Sequence, residues 1–236
     1  MTDKPLADRI ALVTGASRGI GAATARALGA AGAHVILTAR TAGGLEEVEE
    51  AIYASGGSAT IAPMDLTENE SVSRLAAAVA GRWPALDLLV LNAASLGSLS
   101  AIPAIDFKEF AKVLTLNVTA QAAMLAAFDP LLKAAKQARV LGITSSVGRT
   151  PRAYWGSYGA SKAAFENLLL SYGEEVRHIS GVRVGIVDPG STRTKMRARA
   201  FPGENPETVK APEVVAERIV ALAVSGFETG HFERVD

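Results

Sequence analysis

Short apolar runs alternate with longer helical patterns along the whole chain, and this alternation limits the fold more than any other feature. The runs cover residues 9–14, 34–38, 60–64, 86–91, 140–144 and 182–187, with a short last one at 230–235. Helical patterns cover 19–31, 45–54, 67–82, 107–136, 155–178 and 212–224. Parallel strands need long crossovers, and intervening helices supply them. The runs lack strict polar–apolar alternation, as strands buried on both faces do. The fold class is therefore α/β: a Rossmann-type doubly wound parallel sheet of about seven strands, in three layers, α/β/α.

Local signals set the boundaries. Gly32 closes the first helix as a C-cap glycine, and Gly56 and Gly57 stop the second. Thr67-Glu68-Asn69-Glu70 fits a capping box that opens the third. Pro130 marks a place where the long fourth pattern would be interrupted. No linker or repeat divides the chain, so residues 1–236 read as one domain. A hydrophobic fraction of 49% is enough for its core.

Composition removes several classes of function. Lysine plus arginine and aspartate plus glutamate both total 24, which argues against a nucleic-acid binder acting through bulk charge. The absence of cysteine excludes disulfides and cysteine nucleophiles. The scattered His34, His178 and His231 do not suggest a zinc site. No apolar run approaches the roughly 20 residues of a membrane span. Residues 1–9 do not read as a signal peptide, so the expected location is the cytoplasm.

Thr14-Gly15-Ala16-Ser17-Arg18-Gly19-Ile20-Gly21 falls between the first strand and the first helix. Glycines there permit a tight turn and let backbone approach a phosphate. The helix start adds free N–H groups and the positive end of its dipole. An acidic residue after the second strand would hold the ribose 2′-hydroxyl of NAD(H). Here that strand ends Thr38-Ala39-Arg40. Arg40 and Arg18 can pair with a 2′-phosphate, which favours NADP(H) over NAD(H).

Tyr158 and Lys162 are four residues apart, on one face of a helix. A lysine ammonium beside a tyrosine favours the phenolate and lowers the phenol pKa toward neutrality. A phenol tuned in this way can serve as a general acid or base.

These motifs together resemble the short-chain dehydrogenase/reductase family, in its single-domain branch, over nearly the whole chain. Thr14-Gly15-x-x-x-Gly19-Ile20-Gly21 matches the family's cofactor turn. Asp65-Leu66 matches the pair that borders the adenine ring. Leu91-Asn92-Ala93-Ala94 stands where the family usually has Asn-Asn-Ala-Gly. Asn117 matches the family's helix asparagine, and Ser145, thirteen residues before Tyr158, its catalytic serine. Pro189-Gly190-Ser191-Thr192-Arg193-Thr194 matches the segment that folds over the nicotinamide. The segments 145–149, 154–158 and 192–202 look like a bacterial oxidoreductase branch without a settled substrate. Relatives commonly continue past the last strand, where this chain stops at Asp236.

The resemblance implies roles. Tyr158 would protonate a carbonyl oxygen as hydride leaves the cofactor. Lys162 would lower the Tyr158 pKa and bind the nicotinamide ribose. Ser145, with Ser146 as a rival, would hold the substrate oxygen. Asn117 would position a water for proton relay to Lys162; otherwise it is a polar kink in a helix. Asp65 is otherwise a cap or turn residue. Arg149, Arg152, Lys195, Arg197 and Arg199 flank the expected substrate mouth, as attractors of an anionic substrate or as solvated surface charge. Residues 198–210 read as a lid loop. Homodimers or homotetramers are implied by the family, and Phe165, Leu168, Leu169 and Tyr172 suit either a subunit contact or the chain's own core. A small carbonyl or alcohol is the expected partner. The competing reading is a non-enzymatic NADP(H)-binding sensor or scaffold, which has no need of the acid–base pair.

Overall fold

Residues 4–68 and 70–236 are described in the computed structural model of the chain. Among them, seven strands form one parallel sheet in the order β3-β2-β1-β4-β5-β6-β7. The strands are β1 (Ile10–Thr14), β2 (His34–Ala39), β3 (Ser58–Pro63), β4 (Leu88–Leu91), β5 (Arg139–Ile143), β6 (Arg183–Asp188) and β7 (His231–Arg234). The chain winds outward from β1 to β3, then crosses back to lay β4 against β1, Ala11 facing Leu88 and Val13 facing Val90. The C-terminal ends of β1 and β4 therefore flank the point where the winding reverses, where such folds bind ligands.

The helices are α1 (Gly19–Ala30), α2 (Ala42–Ala54), α3 (Ser71–Ala80), α4 (Phe107–Leu114), α5 (Ala120–Ala134), α6 (Gly156–Val176), α7 (Lys195–Ala200) and α8 (Pro212–Ser225). Successive strand residues divide between two cores. Leu12, Ile36, Leu89, Val140 and Val184 pack with Met124, Phe128, Phe165 and Leu169 from α5 and α6. Val13, Val35, Leu37, Val90 and Leu141 pack with Leu28, Val48 and Ile219 from α1, α2 and α8. Two buried faces explain why the strands read as unbroken apolar runs. Phe165, Leu169 and Tyr172 lie in the chain's own core, with Leu168 partly buried against it.

Several boundary expectations hold and others are corrected. Gly32 has φ +102° and follows α1, with Gly32 N–H donating to Gly29 O and Ala33 N–H to Leu28 O, the Schellman pattern. The capping box before α3 does not form. Thr67 gives its hydroxyl and its amide to Asp65 at 2.7 and 2.9 Å, Glu70 takes the N-cap place at φ +62° without a side-chain cap, and Asn69 lies outside the described residues. Pro130 sits inside α5 without ending it. The irregularity falls earlier, in a π-turn at Thr115–Thr119 between α4 and α5.

Because helix runs through that turn, Phe107–Ala134 is a 28-residue helical segment with a window of mean hydropathy 1.3, long and apolar enough to cross a membrane by length and composition. This corrects the expectation that no apolar run reaches that length. In the fold, Met124, Leu125, Phe128 and Leu132 of this segment belong to the core against the sheet.

Candidate active site

The crevice between β1 and β4 is closed by hydrogen bonds that fix the glycine-rich turn. The Thr14 hydroxyl accepts from Asn92 N–H at 2.9 Å and from Ala93 N–H at 3.0 Å. Asn92 Nδ2 donates to Thr14 O at 2.8 Å and to Gly15 O at 3.3 Å. The Asn92 side chain thus acts as a staple across the crevice, with Leu91 and Ala94 in the family's Asn and Gly places. Gly15 has φ +65°, a conformation that costs glycine least. A Cβ on Gly21 would run into Gly15 O and come within 2.5 Å of Asn92 Nδ2. No side chain caps α1, where Arg18 occupies the N-cap position in extended conformation, so the first N–H groups stay open to an anion. Ser17 packs against the start of α2 near Gly44. Ile20 lies against the core beneath α1. This cradle, with backbone close on every side, fits a dinucleotide pyrophosphate.

Arg18 and Arg40 are exposed, Arg40 with 70% of its side chain free, immediately after β2. Arg40 Nη1 lies 3.9 Å from Asp65 Oδ2. Burial raises the Asp65 pKa, but the Thr67 amide and hydroxyl and the Arg40 charge outweigh it and hold the carboxyl below its usual range. Asp65 is thus a turn residue, and Leu66 turns its side chain into the core, leaving backbone at this edge.

At the same sheet edge α6 presents Tyr158 and Lys162, only 6% and 4% exposed. Lys162 Nζ donates to Ile143 O at 2.8 Å and lies 5.8 Å from the Tyr158 ring centre. The expectation that the ammonium lowers the phenol pKa is corrected. Burial, and then the Asp188 carboxylate at the end of β6, push the Tyr158 phenol well above its ordinary value. Burial also pulls Lys162 down to about 8, against an opposing push from Glu166. Removing both groups from water penalises their charged forms, the phenolate and the ammonium alike. Ser145 follows β5, partly exposed, and its carbonyl accepts from Gly148 N–H at 2.9 Å.

Asn117 is 1% exposed and sits in the π-turn. Its Oδ1 accepts from Ser95 N–H at 2.8 Å, and its Nδ2 donates to Ser95 O and to Ser161 Oγ, both at 2.9 Å. Ser161 Oγ donates in turn to Tyr158 O at 2.7 Å. Both amide hydrogens are engaged, while Oδ1 keeps one lone pair beyond the Ser95 bond. The side chain ties the loop after β4 to α6.

The segment after β6 folds back as a cover. Thr192 Oγ1 donates to Pro189 O at 2.8 Å, and Gly190 N–H donates to Asp188 Oδ1 at 3.0 Å. Thr194 caps α7 by accepting from Arg197 N–H at 3.1 Å, and a Cβ on Gly19 would meet the Thr194 methyl at 3.3 Å. The cover therefore lies directly on the glycine-rich turn. The expected lid loop begins inside α7, and Arg193 N–H donates to Lys210 O at 2.8 Å to close its base. Arg197 holds Glu204 through two hydrogen bonds of 2.7 and 2.5 Å and stacks over Phe201 at 3.7 Å. Arg152 lies over Phe201 at 5.0 Å, and Trp155 stacks on Phe201 at 5.7 Å. Arg149 pairs with Glu166 at 2.7 Å. Arg149 and Arg197 are thus paired with carboxylates of the chain, which neither expectation included, while Arg152, Lys195 and Arg199 are exposed.

Sequence reasoning also missed three buried polar residues. Gln121 Nε2 donates to Ala93 O and Leu116 O at 3.0 and 2.9 Å, satisfying a π-turn carbonyl. Asp188, buried at the end of β6, acts on Tyr158 through its charge, and Glu166 lies one turn beyond Lys162. A carboxylate four residues after Lys162 was the one signal available in advance.

The Lys162 proton affinity has a consequence for stability. The unfolded chain holds this proton with an ordinary value of 10.5, the folded chain at about 8. Below pH 8 the difference opposes folding, and stability rises as the pH climbs from 8 to 10.5 and the ammonium is lost. Stability is therefore expected to rise between pH 8 and pH 10.5 in the unaltered chain, and Lys162→Met to flatten that rise. Thermal denaturation across this pH range checks it, and an equal rise in both chains would refute it.

A doubly wound sheet with a backbone cradle at its switch point defines a nucleotide-binding α/β protein of the Rossmann class. A family model described as short chain dehydrogenase matches residues 9–205, and the chain belongs to that family. The uncharacterized oxidoreductase YciK of Escherichia coli is 37% identical over 210 residues, 88% of this chain and 82% of that protein. The solved structure of yciK from E. coli, an oxidoreductase, superposes with a TM-score of 0.94 at 34% identity, covering 100% of this chain and 98% of that one. A metagenomic short-chain oxidoreductase solved in complex with NADP has a TM-score of 0.84 at 33% identity, covering 98% and 99%.

Proposed function

We propose that this chain transfers hydride between NADP(H) and a carbonyl or alcohol substrate, with Tyr158 as the general acid/base. The observation that carries this reading is the burial of Tyr158 and Lys162 together on one face of α6, at the sheet edge that holds the glycine-rich turn. The N-terminus of α1 with Gly15, Ser17, Gly19, Ile20 and Gly21 would hold the pyrophosphate. Arg18 and Arg40 would meet the 2′-phosphate, in keeping with the NADP bound by the metagenomic relative. Asp65 and the Leu66 backbone would border the adenine. Asn92, Ala93 and Ala94 would line the crevice, and Pro189, Gly190, Thr192 and Thr194 would cover the nicotinamide. Bound NADPH supplies the hydride.

The rest of the chemistry belongs to the chain. Tyr158 is protonated at neutral pH and so stands in the form that donates to a carbonyl oxygen. Ser145 hydrogen-bonds that oxygen. Lys162 meets the nicotinamide ribose and brings positive charge beside the phenol. Asn117 fixes the π-turn and, through Ser161, the helix that carries Tyr158. Trp155, edge-on to Tyr158 at 6.1 Å, and Phe201 shield this centre from water.

Purified protein assayed with NADPH and a panel of aldehydes and ketones tests the reading. Turnover that depends on Tyr158 is expected, and its absence across the panel would count against it. The cofactor assignment has its own test. Arg40→Ala is expected to weaken NADPH binding about tenfold while leaving NADH binding nearly unchanged, because a charge-assisted phosphate contact is worth about 1.5–3 kcal/mol. Fluorescence titration reads both constants, and equal losses would defeat the role given to Arg40.

A further inference from the structure

Glu166 has no part in the roles above, yet it is buried and lies one turn beyond Lys162 on α6. One carboxylate oxygen accepts from the Thr144 hydroxyl, the other from Arg149 Nε at 2.7 Å. Thr144 stands between Ile143, whose carbonyl receives the Lys162 ammonium at 2.8 Å, and Ser145. Arg149 is itself seated over the Phe232 ring on β7 at 3.7 Å. Packing closes the same seam. A Cβ on Gly148 would come within 3.1 Å of Lys162 Cβ and 3.2 Å of Glu166 Oε1, and one on Gly159 within 2.7 Å of Val147 O. The loop after β5 and the helix are thus in contact through backbone and through one shared carboxylate.

We propose that Glu166 is a positioning residue: with Thr144 and Arg149 it fixes residues 143–145 against α6, and its charge keeps Lys162 in the ammonium form. The inference rests on the reading of Tyr158 and Lys162 given above. Of the ionisable groups, Tyr158 and Glu166 share the helix of Lys162, Arg149 from the loop after β5 pairs with Glu166, and Asp188 at the end of β6 acts on Tyr158. Burial alone favours neutral lysine, and Glu166 is the charge that opposes it. Arg149 tempers that field because it holds the same carboxylate. Substituting the two residues therefore has opposite consequences. Losing the negative charge lets Lys162 shed its proton more easily. Losing the guanidinium leaves the carboxylate field less compensated and makes Lys162 hold its proton more tightly.

The test is the ionisation midpoint of Lys162, read from side-chain NMR shifts of the full chain labelled at lysine. The Lys162→Met spectrum identifies the signal. Glu166→Gln is expected to lower the midpoint by about one pH unit, and Arg149→Gln to raise it by a smaller amount. Unchanged midpoints, or shifts of the same sign, would overturn the proposal, because a purely mechanical brace moves neither or moves both alike. If Glu166→Gln fails to fold, Arg149→Gln decides: a raised midpoint supports the assignment, and an unchanged or lowered one defeats it. NADPH turnover with the carbonyl panel is measured alongside. Opposite shifts in a chain that turns over no carbonyl would sink the proposed reaction and leave the electrostatic role of Glu166 standing.

Discussion

Tyr158→Phe is expected to lower the rate of NADPH-dependent carbonyl reduction by about 10²–10⁴-fold, the usual worth of a positioned general acid. The substitution keeps the ring, its burial and its edge-on contact with Trp155, and removes only the hydroxyl. NADPH affinity and Tm should therefore stay close to those of the unaltered chain. That separation matters, because a loss of rate with a loss of fold would say nothing about proton transfer. The measurement is kcat and KM for the best substrate of the panel, with NADPH titration and thermal denaturation as controls. Undiminished kcat would remove Tyr158 from the mechanism.

Gly21→Val should have the largest effect on the cofactor. Its Cβ would be driven into Gly15 O and toward Asn92 Nδ2, and neither can move away cheaply. Gly15 O is main chain of the turn itself, and Asn92 is stapled to Thr14 at 2.8 Å. Overpacking of this kind costs about 1–3 kcal/mol of stability. A displaced turn should also weaken NADPH binding by on the order of 100-fold, since every 1.4 kcal/mol lost is a factor of ten. Gly43→Val is the matched control: its Cβ would meet nothing within 4 Å, and its effect on NADPH binding should be small. Equal consequences at the two positions would mean that close approach at Gly21 is irrelevant.

Much of the architecture is legible from local patterns. Each apolar run corresponds to a strand, and Gly32 ends α1 where its freedom at positive φ predicts. Other features are illegible for definite reasons. The π-turn in Thr115–Thr119 leaves no mark on apolar periodicity; it is held by Gln121 and Asn117, which bond to Ala93 and Ser95 in a loop from another strand. The capping box before α3 has the right letters, but Asp65 takes the Thr67 donors. Arg197 and Arg149 look like free surface charges until Glu204 and Glu166 are brought beside them.

The sequence by itself determined the elements, their parallel arrangement, the glycine-rich turn and the placing of Tyr158 and Lys162 on one helix face. These follow from periodicity, backbone freedom and a spacing of four residues, all properties of neighbours in the chain. Only the tertiary structure decided how those residues behave. Asn117 is bound to Ser161 across 44 residues of sequence, and the Tyr158 phenol is pushed up by burial and by Asp188 from another strand. Proton affinity depends on what surrounds a group in space, so a lysine four residues away could not settle it alone.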